Sequence, residues 1–308
     1  MFICIGLACI GSAVFDVFQT LFHPAGRGTM SDWIAKLIWR VFRMIAARYS
    51  KVLTYAGPTA ILAIIVSWAA LTWFGFTLIY LPFLGSGFDF GQVHGGSPRQ
   101  GIFEAMSISI GSLITLSDGA YARLHWLELA CGVEAVMGFA ILTASVSWLL
   151  SIYPVLEARR SVAQRATLLH HAERQHQLDM VRDAPDQAKE WAFSLGADLA
   201  SLRNQMAQFP ITYYFDMGEP ETAISGALAY LLELSERASA SSSAGLRLSA
   251  SVLGGAVHSF LKLVAEDFLS IPSANKEQIL RAYASEQMSD IILLRQTIPY
   301  EKKKDDAA

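Results

Sequence analysis

Apolar and polar positions fall along this chain in long blocks. Residues 1–22 carry one charged side chain, Asp16, while 52–88 and 135–156 carry none. A bilayer core takes about 20 apolar residues per helix, so the pattern predicts spanning helices over 1–22, about Gly57–Leu81 and about His125–Tyr153. Pro58 suits the first turn of the second helix and Pro82 its exit. Pro154 is the expected end of the third. Between the second and third lies a mildly apolar run, Ile102 to Ile114, that ends in Thr115, Leu116, Ser117, Asp118 and Gly119. It is too short and too polar to cross as an ordinary helix. A helix, a short helix, a small-residue loop and a helix make the layout of a re-entrant pore loop. Irregular backbone survives at membrane depth only where protein or a water-filled cavity satisfies its polar groups.

Two further patterns complete the division. In 23–51 the residues Trp33, Ile34, Leu37, Ile38, Val41, Phe42 and Ile45 recur at helical spacing, with Lys36, Arg40 and Arg43 on the remaining surface. That predicts an amphipathic helix on the inner membrane face or a linker helix packed on a soluble domain. Residues 157–308 are polar enough to be soluble. They predict helices over 161–209 with a break at Asp183-Ala184-Pro185, then over about 219–238, 244–270 and 274–296, with Asp183 and Ser273 as candidate caps. The expected fold is an all-α membrane protein: an N-terminal transmembrane helix (1–22), a cytoplasmic amphipathic helix (23–51), a pore domain (52–156) and a helical cytoplasmic domain (157–308).

Composition and charge sharpen this. Of 308 residues 53% are hydrophobic and 17% charged, against about a quarter charged in a soluble domain. Residues 1–160 hold 10 Lys/Arg and 8 Asp/Glu, and the rest hold 14 and 19. Neither part has the basic surface of a nucleic-acid binder. Basic residues gather in 27–51 and again at Arg159, Arg160 and Arg165, which places both segments inside. Three spans then put the N-terminus outside and the C-terminus in the cytoplasm, and the short loop enters from the outer face of the cell inner membrane. The thiols Cys4, Cys9 and Cys131 all fall in spanning segments, where buried apolar roles are expected.

The candidate chemistry lies in the loop. In pore filters, backbone carbonyls replace the hydration shell of the ion. A ring of Asp118 carboxylates in a symmetric oligomer would favour cations; the alternative is a plain Asp118-Gly119 turn. Ser117 has a Cβ, so a left-handed conformation there costs about 1–2 kcal/mol, and a shorter, wider or partly collapsed filter is expected. Asp16 is either a functional acid or a cap and pairing group between helices. Gly138 is either a bend point or a close helix–helix packing point.

The order outer helix, pore helix, filter, inner helix resembles the two-transmembrane potassium channel family, whose filter reads Thr-Val/Leu-Gly-Tyr-Gly-Asp. Here it is laid on Thr115, Leu116, Ser117, Asp118, Gly119 and Ala120; Thr115, Leu116 and Gly119 match. Asp at the tyrosine position resembles the filter of nonselective sodium/potassium channels of the same fold. Asp16-Val17-Phe18 with His23-Pro24 and Gly26-Arg27 resembles bacterial ion-channel proteins with an extra leading helix. The resemblance implies a homotetramer, a weakly selective pathway for K+ or Na+ through Thr115–Gly119, a supporting role for Glu134 behind the filter and gating by bending near Gly138. The alternative is a non-conducting membrane scaffold or partner-binding protein on the same fold.

In the C-terminal domain, His170, His171 and His176 flank Glu173, which invites a metal reading. The sequence around them is polar on every side and no matching acids are evident, so a solvated face is expected, with proton sensing as a further role. No nucleotide-binding glycine motif, metal set or nucleophile constellation is present. An enzyme is therefore not expected, nor any cofactor beyond permeant cations. The helical domain reads as an assembly or gating module.

Overall fold

The computed structural model describes residues 1–22, 28–90, 101–116, 120–215, 223–272 and 274–287. The chain divides into two compact units, residues 1–45 with 56–152, and 46–55 with 153–308.

The first unit holds the long apolar helices. α1 (Phe2–Leu21) and α3 (Ala56–Tyr80) pack against each other with Gly6 and Gly75 at their point of close approach, flanked by Ile10 and Ile79. A methyl group on Gly6 would sit 2.5 Å from the Gly75 carbonyl oxygen, and one on Gly75 would sit 2.8 Å from that of Gly6. Small residues that let backbones approach this closely are the usual basis of helix association in lipid. Asp16 fixes the same pair from within. It is buried and accepts from the Trp68 indole of α3 at 2.8 Å, and from the Met30 amide at 2.9 Å, the Ser31 amide at 3.4 Å and the Ser31 hydroxyl. One carboxylate therefore caps α2 (Thr29–Ala46) from a distance and joins α1 to α3. Of the two sequence readings of Asp16, the geometry is that of the cap and pairing group.

α4 (Ile102–Leu113) follows, and α5 (His125–His176) begins after a two-stranded antiparallel ribbon, β1 (Phe88–Phe90) on β2 (Ala120–Ala122). The ribbon sets Asp89 opposite Tyr121, and Asp89 pairs with Arg123 at 3.2 Å. The core of this unit is Phe76, Ile79, Tyr80, Phe88, Ile108 and Leu127 with their neighbours. Large apolar side chains on the outer faces of α1, α3 and α5 are exposed, among them Phe15, Phe18, Leu62, Val66, Val136 and Phe139. Such faces suit lipid and not water. The cysteines are not core residues. Cys4 is exposed, Cys9 and Cys131 are half-buried, and all are free.

Two sequence expectations are corrected here. α5 does not end at Pro154 but runs through it for 52 residues, about 78 Å at 1.5 Å per residue. Proline removes one N–H from the ladder, and good helix formers on both sides (Leu149, Leu150, Leu156, Glu157) keep it going. The division between the two units falls beside it, at Ile152–Tyr153. Arg159, the first basic residue after Pro154, is buried within the second unit, with Nη1 donating to the Thr212 carbonyl at 2.9 Å and Nη2 to Gln287 Oε1 at 3.4 Å. The helix that restarts at Pro185 is not capped by Asp183: Ala184 holds the cap position and offers no side-chain bond. Asp179 caps the short α6 (Met180–Asp183), and Asn275 caps α10 (Lys276–Glu286) in a capping box with Gln278; Ser273 lies outside the described residues.

In the second unit, α7 (Pro185–Gln208) and α8 (Ile224–Ser239) pack on a central α9 (Ala244–Val264), with α10 (Lys276–Glu286) alongside. α9 is apolar and long enough to cross a membrane by composition, yet Leu246, Leu253, Val257, Phe260 and Val264 are buried within the unit. Gly196 of α7 admits the close approach, since a methyl there would lie 3.1 Å from the Leu253 backbone.

Candidate functional site

The short helix between the two long ones is the feature the sequence singled out, and the structure shows what holds it. α4 is bound to α3 at two points. The Trp73 indole donates to the Met106 carbonyl at 2.9 Å, and the Ser109 hydroxyl reaches the Trp73 carbonyl at 2.9 Å. It is bound to α5 at two more. Glu134, fully buried, accepts from the Tyr80 hydroxyl at 2.8 Å and is hydrogen-bonded to Ser109. Gly138 lies against the last turn of α4, where a methyl group would come within 2.0 Å of the Leu113 carbonyl oxygen. The partners of Glu134 are thus hydroxyls of α3 and α4. A buried carboxyl with such partners fixes three helices in one register, because an unmatched polar group in this setting costs about 1–3 kcal/mol.

The end of α4 is strained. Thr115 has φ of 59°, the left-handed region, which a β-branched residue rarely adopts. The Thr115 amide donates to the Ser112 carbonyl at 3.0 Å, and the Leu116 amide to the Gly111 carbonyl at 2.7 Å. This is a Schellman end, usually built on glycine. The left-handed residue described in this turn is Thr115, two positions before Ser117. Of the five predicted filter positions, the structure describes Thr115 and Leu116, both exposed. Ser117, Asp118 and Gly119 lie outside the described residues. A cavity of about 370 Å³ opens beside this turn, lined by Gly111, Ser112, Thr115, Leu116, Tyr121 and Glu128 among others.

Sequence reasoning named Glu134 and Gly138 and missed their partners. These are Tyr80 and Ser109 for Glu134 and the Leu113 carbonyl for Gly138. The signal was the polar spacing on α4, where Ser109 sits one turn from Ala105 on the buried face.

The histidine segment divides. His171 and His176 are exposed, as a solvated face would have them, but His170 is buried, against the Tyr230 ring at 4.9 Å. Burial, then the neighbouring Arg174, lowers its affinity for a proton. Glu173 accepts from the Tyr230 hydroxyl at 2.8 Å, from Arg237 at 3.0 and 3.2 Å and from the Met180 amide at 2.9 Å. Burial alone would raise its carboxyl, but the Arg237 bond and the Met180 amide outweigh it and hold it below the usual range. Among the described residues no group of three His, Cys, Asp or Glu side chains is placed to hold a metal.

Comparison with known proteins places the chain in the membrane. It is 26% identical over 236 residues to the uncharacterized membrane protein YdjJ of Bacillus subtilis (strain 168), covering 75% of this chain and 68% of the relative. No family profile matches the chain, and no solved structure does. The long apolar helices and this relative together define a largely helical membrane protein.

Proposed function

We propose that the chain is one subunit of a channel for monovalent cations. In this reading α1, α3 and the first part of α5 cross the inner membrane, with the N-terminus outside. α2 and the second unit lie in the cytoplasm. α4 is the re-entrant pore helix, and four copies surround an axis lined by Thr115, Leu116, Ser117, Asp118 and Gly119. Serine and aspartate in that run make the pathway weakly selective between K+ and Na+. Glu134 supports the loop from behind, and Gly138 lies where α5 moves against it.

The observation that carries this reading is the placement of α4. At 12 residues it is about 18 Å long, too short for a core about 30 Å thick. Yet it is fastened to two membrane-length helices by buried hydrogen bonds and ends on a strained reversal. Strain of this kind collects at functional sites. Planar-bilayer recordings of the purified protein beside Asp118→Asn test it. The expected result is a cation-selective conductance that falls or loses selectivity in the variant. Silence in every cation gradient removes the proposal and leaves the scaffold reading.

A further inference from the structure

α2 presents three distinct faces. Ser31, Ala35 and Trp39 recur every four residues and are buried. A second strip, Trp33, Leu37, Val41 and Met44, is apolar and exposed, with Trp33 at 63% and Met44 at 66%. Spacings of four, four and three keep that strip on one side of the helix. Lys36, Arg40 and Arg43 form a third strip beside it, and all three are exposed. The helix has one acid, Asp32, which pairs with Lys36 at 2.5 Å. A water-facing helix would not carry four large apolar side chains in a row beside a basic flank.

The beginning of α2 is also fixed in place. Met30 and Ser31 donate to Asp16 of α1, and the same carboxylate takes the Trp68 indole of α3. α1 and α3 both have the length and apolarity to cross a membrane. α2 therefore starts at the side of two such helices, with an unpartnered apolar strip and a basic one next to it.

We propose that α2 is a docking surface for anionic phospholipid. Trp33, Leu37, Val41 and Met44 enter the boundary between headgroups and acyl chains, and Lys36, Arg40 and Arg43 meet the headgroup phosphates and negative charge. The apolar strip alone would dock on any bilayer; the basic strip makes the docking depend on lipid charge. Each basic residue at an anionic surface strengthens attachment about fivefold. Removing Arg40 and Arg43 together is then expected to weaken the lipid-charge preference on the order of twentyfold.

Site-directed spin labelling of the full-length protein in nanodiscs tests this without reference to conduction. A nitroxide is placed at Leu37→Cys, and at Ser242→Cys as the aqueous reference, with Cys4, Cys9 and Cys131 replaced by serine. Accessibility to oxygen and to a water-soluble nickel chelate is read in phosphatidylcholine and in mixtures with phosphatidylglycerol. The expected label at 37 is shielded from nickel and open to oxygen, more deeply with phosphatidylglycerol, and R40Q/R43Q removes that added depth. The proposal is overturned by nickel access equal to that at 242. It is overturned equally by shielding indifferent to lipid charge, or by dipolar broadening that shows a second copy covering the strip.

Discussion

Gly138→Ala separates close packing from simple flexibility at the end of α4. An added methyl would lie 2.0 Å from the Leu113 carbonyl oxygen, where ordinary contact begins near 3.4 Å. The last turn of α4 must then move by about 1.4 Å, and overpacking of this kind costs about 1–3 kcal/mol. Alanine has an opposing benefit, since it favours the helix by about 1 kcal/mol over glycine. Gly132 calibrates that benefit: it lies on the same helix, and a methyl there meets nothing within 4 Å. Thermal unfolding in detergent, followed by the loss of the monodisperse peak, is therefore expected to rank Gly132→Ala at or above the parent and Gly138→Ala below it. The helix benefit is common to both and cancels, so the gap between the variants should be about 1–3 kcal/mol, the overpacking cost alone. Equal stability of the two variants would refute the claim that α4 is wedged against α5 at this point.

Other expectations follow from the buried polar groups. Asp16→Ala leaves the Trp68 indole and the α2 amides without their acceptor, at about 1–3 kcal/mol each, and should lower the unfolding temperature while freeing α2 to limited proteolysis. Arg237→Met leaves the half-buried Glu173 without its cation, though Tyr230 and Met180 still donate to it, a loss of about 1–3 kcal/mol that the same melting assay reads. The second unit should weaken on acidification. Glu173 is held below its ordinary value, so its contribution is present above the unfolded carboxylate value and lost as pH falls through the folded one. His170 is lowered too, so the fold favours its neutral form and loses stability as pH drops below the unfolded imidazole value. Comparing melting temperatures at pH 7.5 and 5.5 for the parent and His170→Phe checks the second term, and the variant should show the smaller drop.

The distribution of apolar residues made α1, α3 and α9 legible as long runs, and α4 as a short apolar run between two long ones. α2 was legible as amphipathic from Trp33, Leu37 and Val41, and the break before α7 from Pro185. What escaped was set by partners far along the chain. Glu173 looks solvated among HHAERQHQ, yet Arg237 meets it from 64 positions away. Glu134 drew attention as an acid in an apolar helix, but Tyr80 lies 54 positions off, and only the fold brings it near. The stop at Pro154 failed because a local rule met favourable helix formers on both sides. The ribbon of Phe88–Phe90 with Ala120–Ala122 is three residues a side, too short for alternation to register. Thr115 in a left-handed turn runs against its own preference, so no propensity argument could place it.

The most direct measurement of the central claim is a reconstruction of the full-length protein in lipid nanodiscs that counts copies and locates residues 115–119. The account expects four copies with Thr115 to Gly119 around a central axis wide enough for a cation, and α4 pointing toward that axis. A monomer, or an assembly with these residues at the lipid perimeter, would contradict it.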